Sequence, residues 1–417
     1  MDVHRDFCEI AVVEADGRVR SAGRVASTLG ELELFAGSLA ADDVVALEAT
    51  SGAGLIAEII EPHVAAVLVA NTRKLPQISK AKAKTDRLDA RTLARLAGSG
   101  FLETVWAPDE RTRALRRLCA RREALVRART RAKNEAHAVP ARNLCGRPPA
   151  TDCFGKKGRS WLAELQLPLD ERLTLDGCLR QIDFFDTEIA ALEAALSVEA
   201  LGSPEILRLM TVPGVSLHTA AAFMAAVGDI HRFASARQLV GYLGLDPRVR
   251  QSGNGEARHG RISKAGSSLA RGMLGEAAWS VAQTPGPLRA FFERIRARKG
   301  PQVAATATAR KLACLFWCLL TRQEDYAYAR PSMTRAKVRQ LELAAGAPPR
   351  KGVRGIAGNK NAKTREAERE LARQAESAYR RTIADWTASG PAKTGAGVTP
   401  GHASSRPSKG KAARQTL

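Results

Sequence analysis

The residues best suited to chemistry in this chain are acidic, and the most telling group is Lys84-Thr85-Asp86-Arg87-Leu88-Asp89-Ala90-Arg91. A helix that opens with Thr85 as its N-cap sets Asp86 and Asp89 at an i, i+3 spacing, with both carboxylates on one face about 5–6 Å apart. Like charges that close repel unless a cation lies between them. A hard divalent ion such as Mg2+ takes oxygen ligands from one or two carboxylates and fills its other positions with water and phosphate, as in a nuclease or phosphoryl-transfer site. A first helical turn also favours acidic residues through the macrodipole alone, so the octet has a purely structural reading too. A second group is Gln251-Ser252-Gly253-Asn254-Gly255, followed by Arg258, His259, Arg261 and Lys264. A serine among glycines is accessible, and nearby cations ease formation of an alkoxide and hold a phosphate. A polar turn is the plain alternative.

The elements that must position these groups follow from hydrophobic pattern. Cys8 to Val13 and Arg18 to Val25, joined at Ala15-Asp16-Gly17, predict a hairpin. A helix over 29–39 leads into Asp43-Val44-Val45-Ala46-Leu47-Glu48, an apolar run of the kind buried on both faces of a sheet, with Glu48 at its carboxyl end. A short helix over 54–60 and a strand over 64–70 complete a mixed sheet flanked by helices, whose ligands gather where strands end. Residues 111–137 read as a basic helix. Ile182, Phe185, Ile189, Leu192 and Leu196 form a heptad seam, predicting a coiled coil that pairs within the chain or between chains. Around Val212-Pro213-Gly214-Val215 the pattern is similar to a helix-hairpin-helix, whose helix N-terminus can hold a DNA phosphate without reading sequence; a plain helical corner competes. Helices over 236–243, 267–281 and 304–320 follow, the last expected in a core.

Charge points to the partner. Lys and Arg number 65 against 43 Asp and Glu, and the excess is clustered: residues 111–142 hold 11 basic and 2 acidic side chains, and residues 350–417 hold 15 and 5. A nearly neutral body with two basic blocks suits a polyanion, nucleic acid first, because counterion release rewards clustered cations. Arg116, Arg117, Arg121, Arg122 and Lys133 on the first block, with Gly214, Arg258, Arg261 and Lys264, are the candidate contacts. The blocks lack the interleaved Trp, Phe and Leu of a membrane-inserting surface. No stretch reads as a spanning helix or a leader, so a cytoplasmic, nucleoid-associated protein is expected. The seven cysteines, scattered and odd in number, fit reduced thiols, and Cys314 with Cys318 fits packing better than metal binding.

Asp2 in Asp-Val-His-Arg-Asp, Glu48 in Leu-Glu-Ala-Thr and the Asp86/Asp89 pair stand in order with Asn71, Lys133-Asn134, Pro213-Gly214, Ser252-Gly253 and Gly260-Arg261-Ile262-Ser263-Lys264-Ala265-Gly266. This ordered set resembles the DEDD-type insertion-sequence transposases, the IS one-ten family, relatives of the Piv DNA invertase, across roughly residues 2–320. The resemblance implies an α/β N-terminal RuvC-like (RNase H-type) domain binding Mg2+ through Asp2, Glu48, Asp86 and Asp89. It implies a mainly α C-terminal transposase domain supplying a serine nucleophile, Ser252, with Ser263 as runner-up. It further implies sites assembled across subunits of a dimer or tetramer, DNA of element ends and target as substrate, and a structured noncoding guide RNA as partner. Family members carry several residues before the first Asp, which here follows Met1 directly; a late start or a truncated copy is expected to hold Asp2 loosely.

The division expected is a catalytic domain over 1–105, a basic helix and coiled-coil linker over 106–200, a transposase domain over 201–345 and a basic, largely disordered tail over 346–417 with one helix near 364–386. The alternatives are a RuvC-like hydrolytic nuclease in which water attacks, and a decayed copy that only binds nucleic acid. An ATP-using phosphotransferase is disfavoured because the Gly-rich phosphate loops it needs are missing.

Overall fold

The computed structural model describes residues 1–14, 16–71, 75, 85–253, 255, 257–349 and 356–388, with a mixed α/β N-terminal region followed by a mostly helical remainder. β1 (Asp2–Val3) pairs antiparallel with β2 (Phe7–Val13), and β2 with β3 (Val19–Ala26). β4 (Val44–Glu48) runs parallel to β5 (Ala66–Ala70), which pairs antiparallel with β6 (Thr104–Val105). Two bonds join the ladders: the Met1 ammonium donates to the Ala46 carbonyl at 2.6 Å, and the Glu48 N–H donates to the Met1 carbonyl at 3.2 Å. One residue bonded to two alternate residues of its neighbour is the parallel pattern. The strand order across the layer is therefore 3-2-1-4-5-6, with β1 and β4 side by side at its centre.

Met1, Val3, Cys8, Ile10, Val45 and Leu47 of this layer share a core with α1 (Leu29–Gly37) and α2 (Ala53–Ile60), through Leu32, Ala36, Ile56, Ala57 and Ile60. α3 (Asp86–Gly98) packs on β1 to β4 and buries Ala90, Leu93 and Ala94. Thr85 caps it, its hydroxyl accepting from the Leu88 N–H, as the sequence predicts.

The basic helix is α4 (Glu110–Arg142), and it runs antiparallel to α6 (Leu169–Leu201), so the heptad seam pairs within the chain. Ile182, Ile189 and Leu196 are buried along it. At its far end Ala132, Ala136, Val139, Leu175 and Ile182 pack with Leu162 of α5 (Lys156–Glu164). At its near end Leu115, Cys119, Leu196 and Ala200 belong to the large core formed by α7 (Pro204–Met210), α8 (Leu217–Val227), α9 (Ala236–Tyr242), α10 (Ser268–Ala282) and α12 (Pro301–Arg322). The segment expected as a linker is thus anchored at one end in the C-terminal core. α11 (Pro287–Lys299) precedes α12, and Gly300, at φ +81°, makes the turn between them.

Two more helices complete the C-terminal part. α12 is long and apolar enough to cross a membrane by length and composition, and half of that apolar stretch is buried inside the protein, because its small Ala and Thr faces pack against α10 and α11. The tail is ordered over α14 (Ile356–Ala388), which docks on α11 and on α13 (Pro331–Ala344). Glu376 of α14 is buried and ties it down, accepting from the Gly286 N–H at 3.1 Å and from Arg289. Burial works against its ionisation, but bonds from Arg289, Arg380 and Gly286 outweigh that and hold its carboxyl below the usual range. The disorder expected beyond residue 388 lies outside the described residues.

Candidate active site

Asp2 is 3% exposed, held on one side by the β1–β2 pairing of Asp2 with Glu9 and on the other by the Met1 bonds to β4. The expectation of a loosely held Asp2 is therefore corrected: two neighbouring strands fix its backbone. The Met1 ammonium is fully enclosed, and burial pushes it down to about 6. The His4 Nε2 lies 3.0 Å from an Asp2 oxygen and 3.4 Å from an Asp86 oxygen. Ligand atoms of Asp2, His4 and Asp86 all fall within 4.8 Å of one another. Asp86 is half-exposed at the first position of α3, and Asp89, one turn along, is buried. Glu48 ends β4 beside β1, half-buried, with its backbone bonded to Met1. Thus Asp2 and Asp86 are brought together, while Glu48 and Asp89 lie on the adjoining elements but outside that tight group.

The donor set fits a hard cation. Carboxylate oxygens dominate, and Asp2 and Asp86 both meet the His4 imidazole. Sequence reasoning missed His4, whose i, i+2 alternation with Asp2 was the available signal. It also missed Glu9, 1% exposed and opposite Asp2 in register, paired with Arg24 at 2.7 Å and Arg87 at 3.5 Å. Those two cations keep its charge from adding to that of Asp2. Asn71, half-buried, donates its N–H to the Glu103 carbonyl. Lys84 lies outside the described residues.

The second group sits on a hairpin of β7 (Pro247–Arg250) and β8 (Arg258–Ile262). Ser252 is exposed at its tip, where Gly253 adopts φ +56° and the Gln251 amide donates to the Gly255 carbonyl. Asn254, Glu256 and the His259 side chain lie outside the described residues. Ser263, at the base, donates to an Asp246 carboxylate oxygen at 2.6 Å, so its hydroxyl is engaged. A Cβ on Gly266 would meet the Tyr242 carbonyl at 1.9 Å and one on Gly244 the Ala265 nitrogen at 2.5 Å, which is why this base requires glycine at both positions. Arg258, Arg261 and Lys264 are exposed beside it. Among the described residues no substantial packing joins this hairpin to β1, β4 or α3.

Most α4 arginines are turned to internal use. Arg111 pairs with Glu199, Arg122 with Glu193, Arg129 with Asp186 and Arg142 with Glu171, all on α6. Arg113 reaches the Gly54 carbonyl and Glu58 of α2. Arg116 donates to the Ala225 and Ala226 carbonyls that end α8, and lies 5.2 Å from the Trp106 ring. Arg117 pairs with Glu110, and Lys133 lies 5.0 Å from the Phe154 ring. Of the α4 candidates only Arg121 is exposed without such a partner among the described residues. The missed signal was α6 itself, with 8 acidic and 2 basic residues in register opposite α4.

The Pro-Gly turn also faces inward. A Cβ on Gly214, at φ +84°, would meet the Val281 nitrogen of α10 at 2.8 Å. The carbonyls of Met210, Val212 and Val215 converge on the Lys337 Nζ at 2.7–3.1 Å. Burial brings that ammonium down to about 8, and the three acceptors favour its charged form. Next to this turn, burial and the Arg122 cation push His218 down to about 4, although Glu193 lies 3.2 Å away, because Glu193 already accepts two bonds from Arg122.

Comparison with known proteins accounts for this layout. Residues 1–139 match a transposase model of the DEDD insertion-sequence type, and residues 207–293 match the model of the transposase IS116/IS110/IS902 family. The chain is 27% identical over 348 residues to the transposase for insertion sequence element IS1111A of Coxiella burnetii, spanning 78% of this chain and 90% of that one. It is 32% identical over 274 residues to the putative transposase y4qE of Sinorhizobium fredii, 59% of this chain and 67% of that one. It is 28% identical over 252 residues to a probable family 20 transposase of Pseudomonas aeruginosa, 58% and 74% respectively. With a DEDD-type match at its α/β end and an IS110-type match at its helical end, the chain belongs to the IS110 family of DEDD transposases.

Proposed function

We propose that this transposase cuts and rejoins insertion-sequence DNA with two parts: a carboxylate edge of Asp2, Glu48, Asp86 and Asp89 that holds Mg2+, and Ser252 as the nucleophile. The observation that carries the reading is the meeting of Asp2 and Asp86, distant in sequence, on one imidazole beside the end of β4. β1 and β4 are neighbours from which the layer's connections lead in opposite directions, and open α/β sheets bind ligands in the crevice at such a point. This supports a RuvC-like N-terminal domain. Bound Mg2+ supplies charge neutralisation at the scissile phosphate.

The chain's own residues do the rest. Ser252 Oγ gives up its proton and bonds to phosphorus, the bond from phosphorus to the leaving deoxyribose oxygen breaks, and that oxygen takes a proton. The phosphoserine link conserves phosphodiester energy, so rejoining by a deoxyribose hydroxyl reverses the step without ATP. Ser252 is favoured over Ser263 because its tip is exposed, whereas the Ser263 hydroxyl is bonded to Asp246. That no substantial packing joins the hairpin to the carboxylate edge among the described residues supports sites completed between two copies of the chain. The family resemblance adds a structured guide RNA to the proposal.

A plasmid carrying the element's ends tests this. Asp86→Ala is expected to reduce Mg2+-dependent cleavage by at least about 100-fold, and Ser252→Ala to abolish trapped protein–DNA adducts and strand joining. Full cleavage by Asp86→Ala overturns the metal edge. Cleavage by Ser252→Ala without adducts makes water the nucleophile and the protein a hydrolytic nuclease.

A further inference from the structure

Beside the serine hairpin a groove of about 1310 Å3 runs between β8 and the α11–α12 hairpin. It exceeds the roughly 300–1,000 Å3 of usual small-molecule clefts. Its rim carries Arg261, Lys264, Lys299, Arg310 and Lys311, and among the described residues no carboxylate lines it. All five cations are exposed, and among the described residues none has an ion-pair partner. Its floor is apolar, with Leu245, Pro247, Phe291, Val303 and Cys314 among the lining residues. Unpaired cations gathered around an apolar floor cost stability through mutual repulsion unless an anion with apolar faces occupies the space.

The α12 wall shows the same design in sequence. Gln302, Thr306 and Arg310 fall at i, i+4 intervals, as do Val303 and Ala307, so polar and apolar rows run side by side along one helix face. From Gln302 to Cys314 the wall is about 18 Å long at 1.5 Å per residue. A strand held in a duplex places about five phosphates over that length at 3.4 Å per charge, and an extended single strand places fewer. A duplex presents phosphates but hides its base faces, leaving the floor without a partner, whereas a single strand offers phosphates to a basic rim and base faces to an apolar surface.

We propose that this groove binds a single DNA strand, running past the hairpin that carries Ser252. That the strand is DNA rests on the serine role argued above; the strand-binding surface itself does not. Lys299, Arg310 and Lys311 are new contacts, facing Arg261 and Lys264 across the groove.

The test measures fluorescence anisotropy of the full chain with a labelled 20-nucleotide oligo-dT, a 20-base-pair duplex and a 20-nucleotide oligo-rU across a salt series. Arg310→Ala/Lys311→Ala is expected to weaken oligo-dT binding about tenfold or more and to reduce its salt slope by about 1.4, at about 0.7 per lost single-strand contact. Duplex affinity is expected to change less than about twofold. Lys299→Ala, at the other end of the wall, is expected to weaken oligo-dT binding in the same direction. The charge-matched control Lys157→Ala/Arg180→Ala, exposed on α5 and α6 away from the groove, is expected to leave it unchanged. Unchanged oligo-dT binding in both groove variants, an equal loss for the duplex, or a loss confined to oligo-rU overturns the proposal. Ser252→Ala and Asp86→Ala are expected to retain oligo-dT binding, so failure of the groove and failure of the serine chemistry are separable.

Discussion

α4 and the groove beside α12 are both rich in Arg and Lys, and they use charge in opposite ways. On α4 the cations are paired: Arg122 and Arg129 meet Glu193 and Asp186 one heptad apart on each helix, and Arg113 and Arg116 cross to α2 and α8. In the groove Lys299, Arg310 and Lys311 face Arg261 and Lys264, and among the described residues no acid lies between them. The denser basic block is thus mainly a fastening between helices, and the sparser one is open to a polyanion. Charge density alone does not separate the two, because a cation's availability depends on what the fold places within about 4 Å of it.

Four substitutions test this contrast, ordered by expected effect. Gly228→Ala strikes the fastening hardest: at φ +62° its new Cβ would lie 2.1 Å from the Trp106 ring that Arg116 and Arg232 flank. A loss of more than about 3 kcal/mol is expected in thermal or denaturant unfolding. Near-normal stability would show that Trp106 moves freely and that α4 is not fixed there.

Arg116→Ala removes two bonds to the carbonyls that end α8, with an expected loss of about 2–3 kcal/mol and unchanged oligo-dT affinity in the folded fraction. An affinity loss at full stability would move Arg116 from fastening to ligand contact.

Arg122→Ala is expected to cost about 1–2 kcal/mol at neutral pH and to alter the response to acid. In the intact protein His218 is held neutral down to about 4, while in the unfolded chain it protonates near its ordinary 6.5. The unfolded state therefore binds the extra proton between those values, and stability falls as pH drops from 6.5 toward 4. Removing the Arg122 cation raises the His218 value, so that window narrows. Urea unfolding at pH 7 and pH 5 reads both effects, and an unchanged difference between the two pH values would exclude His218 as its source.

Arg121→Ala, exposed on the same helix and without an ion-pair partner among the described residues, is expected to change stability by less than about 0.5 kcal/mol. A larger change would mean that even the outward face of α4 is structural.

Much of this was legible beforehand for local reasons. The apolar run ending at Glu48, the Thr85 cap and the Leu-rich face of α4 each follow from neighbours within a few residues, and each forms as expected. The ordered carboxylates and the serine-glycine element likewise marked the family. The rest depended on remote pairing. The Met1 bonds that fix Asp2 come from β4, and the α6 carboxylates that pair with α4 arginines lie 29 to 88 positions along the chain. The docking of α14 turns on Glu376 meeting Gly286 and Arg289, and the Pro-Gly turn is closed by Lys337, more than a hundred residues later. Apart from the acids spaced along α6, these contacts leave no periodic trace near either partner.

By itself, then, the sequence determined the element types, the candidate carboxylates and serine, and the presence of surplus positive charge. Periodicity, capping and residue chemistry act over a few neighbouring positions and are written there directly. Only the tertiary structure decided which charges are cancelled and which face solvent, that Asp2 is clamped between two strands, and that His4 sits between Asp2 and Asp86. Those outcomes depend on distances between segments far apart in the chain, and electrostatic and hydrogen-bond energies are set by distance and burial, not by order along the backbone.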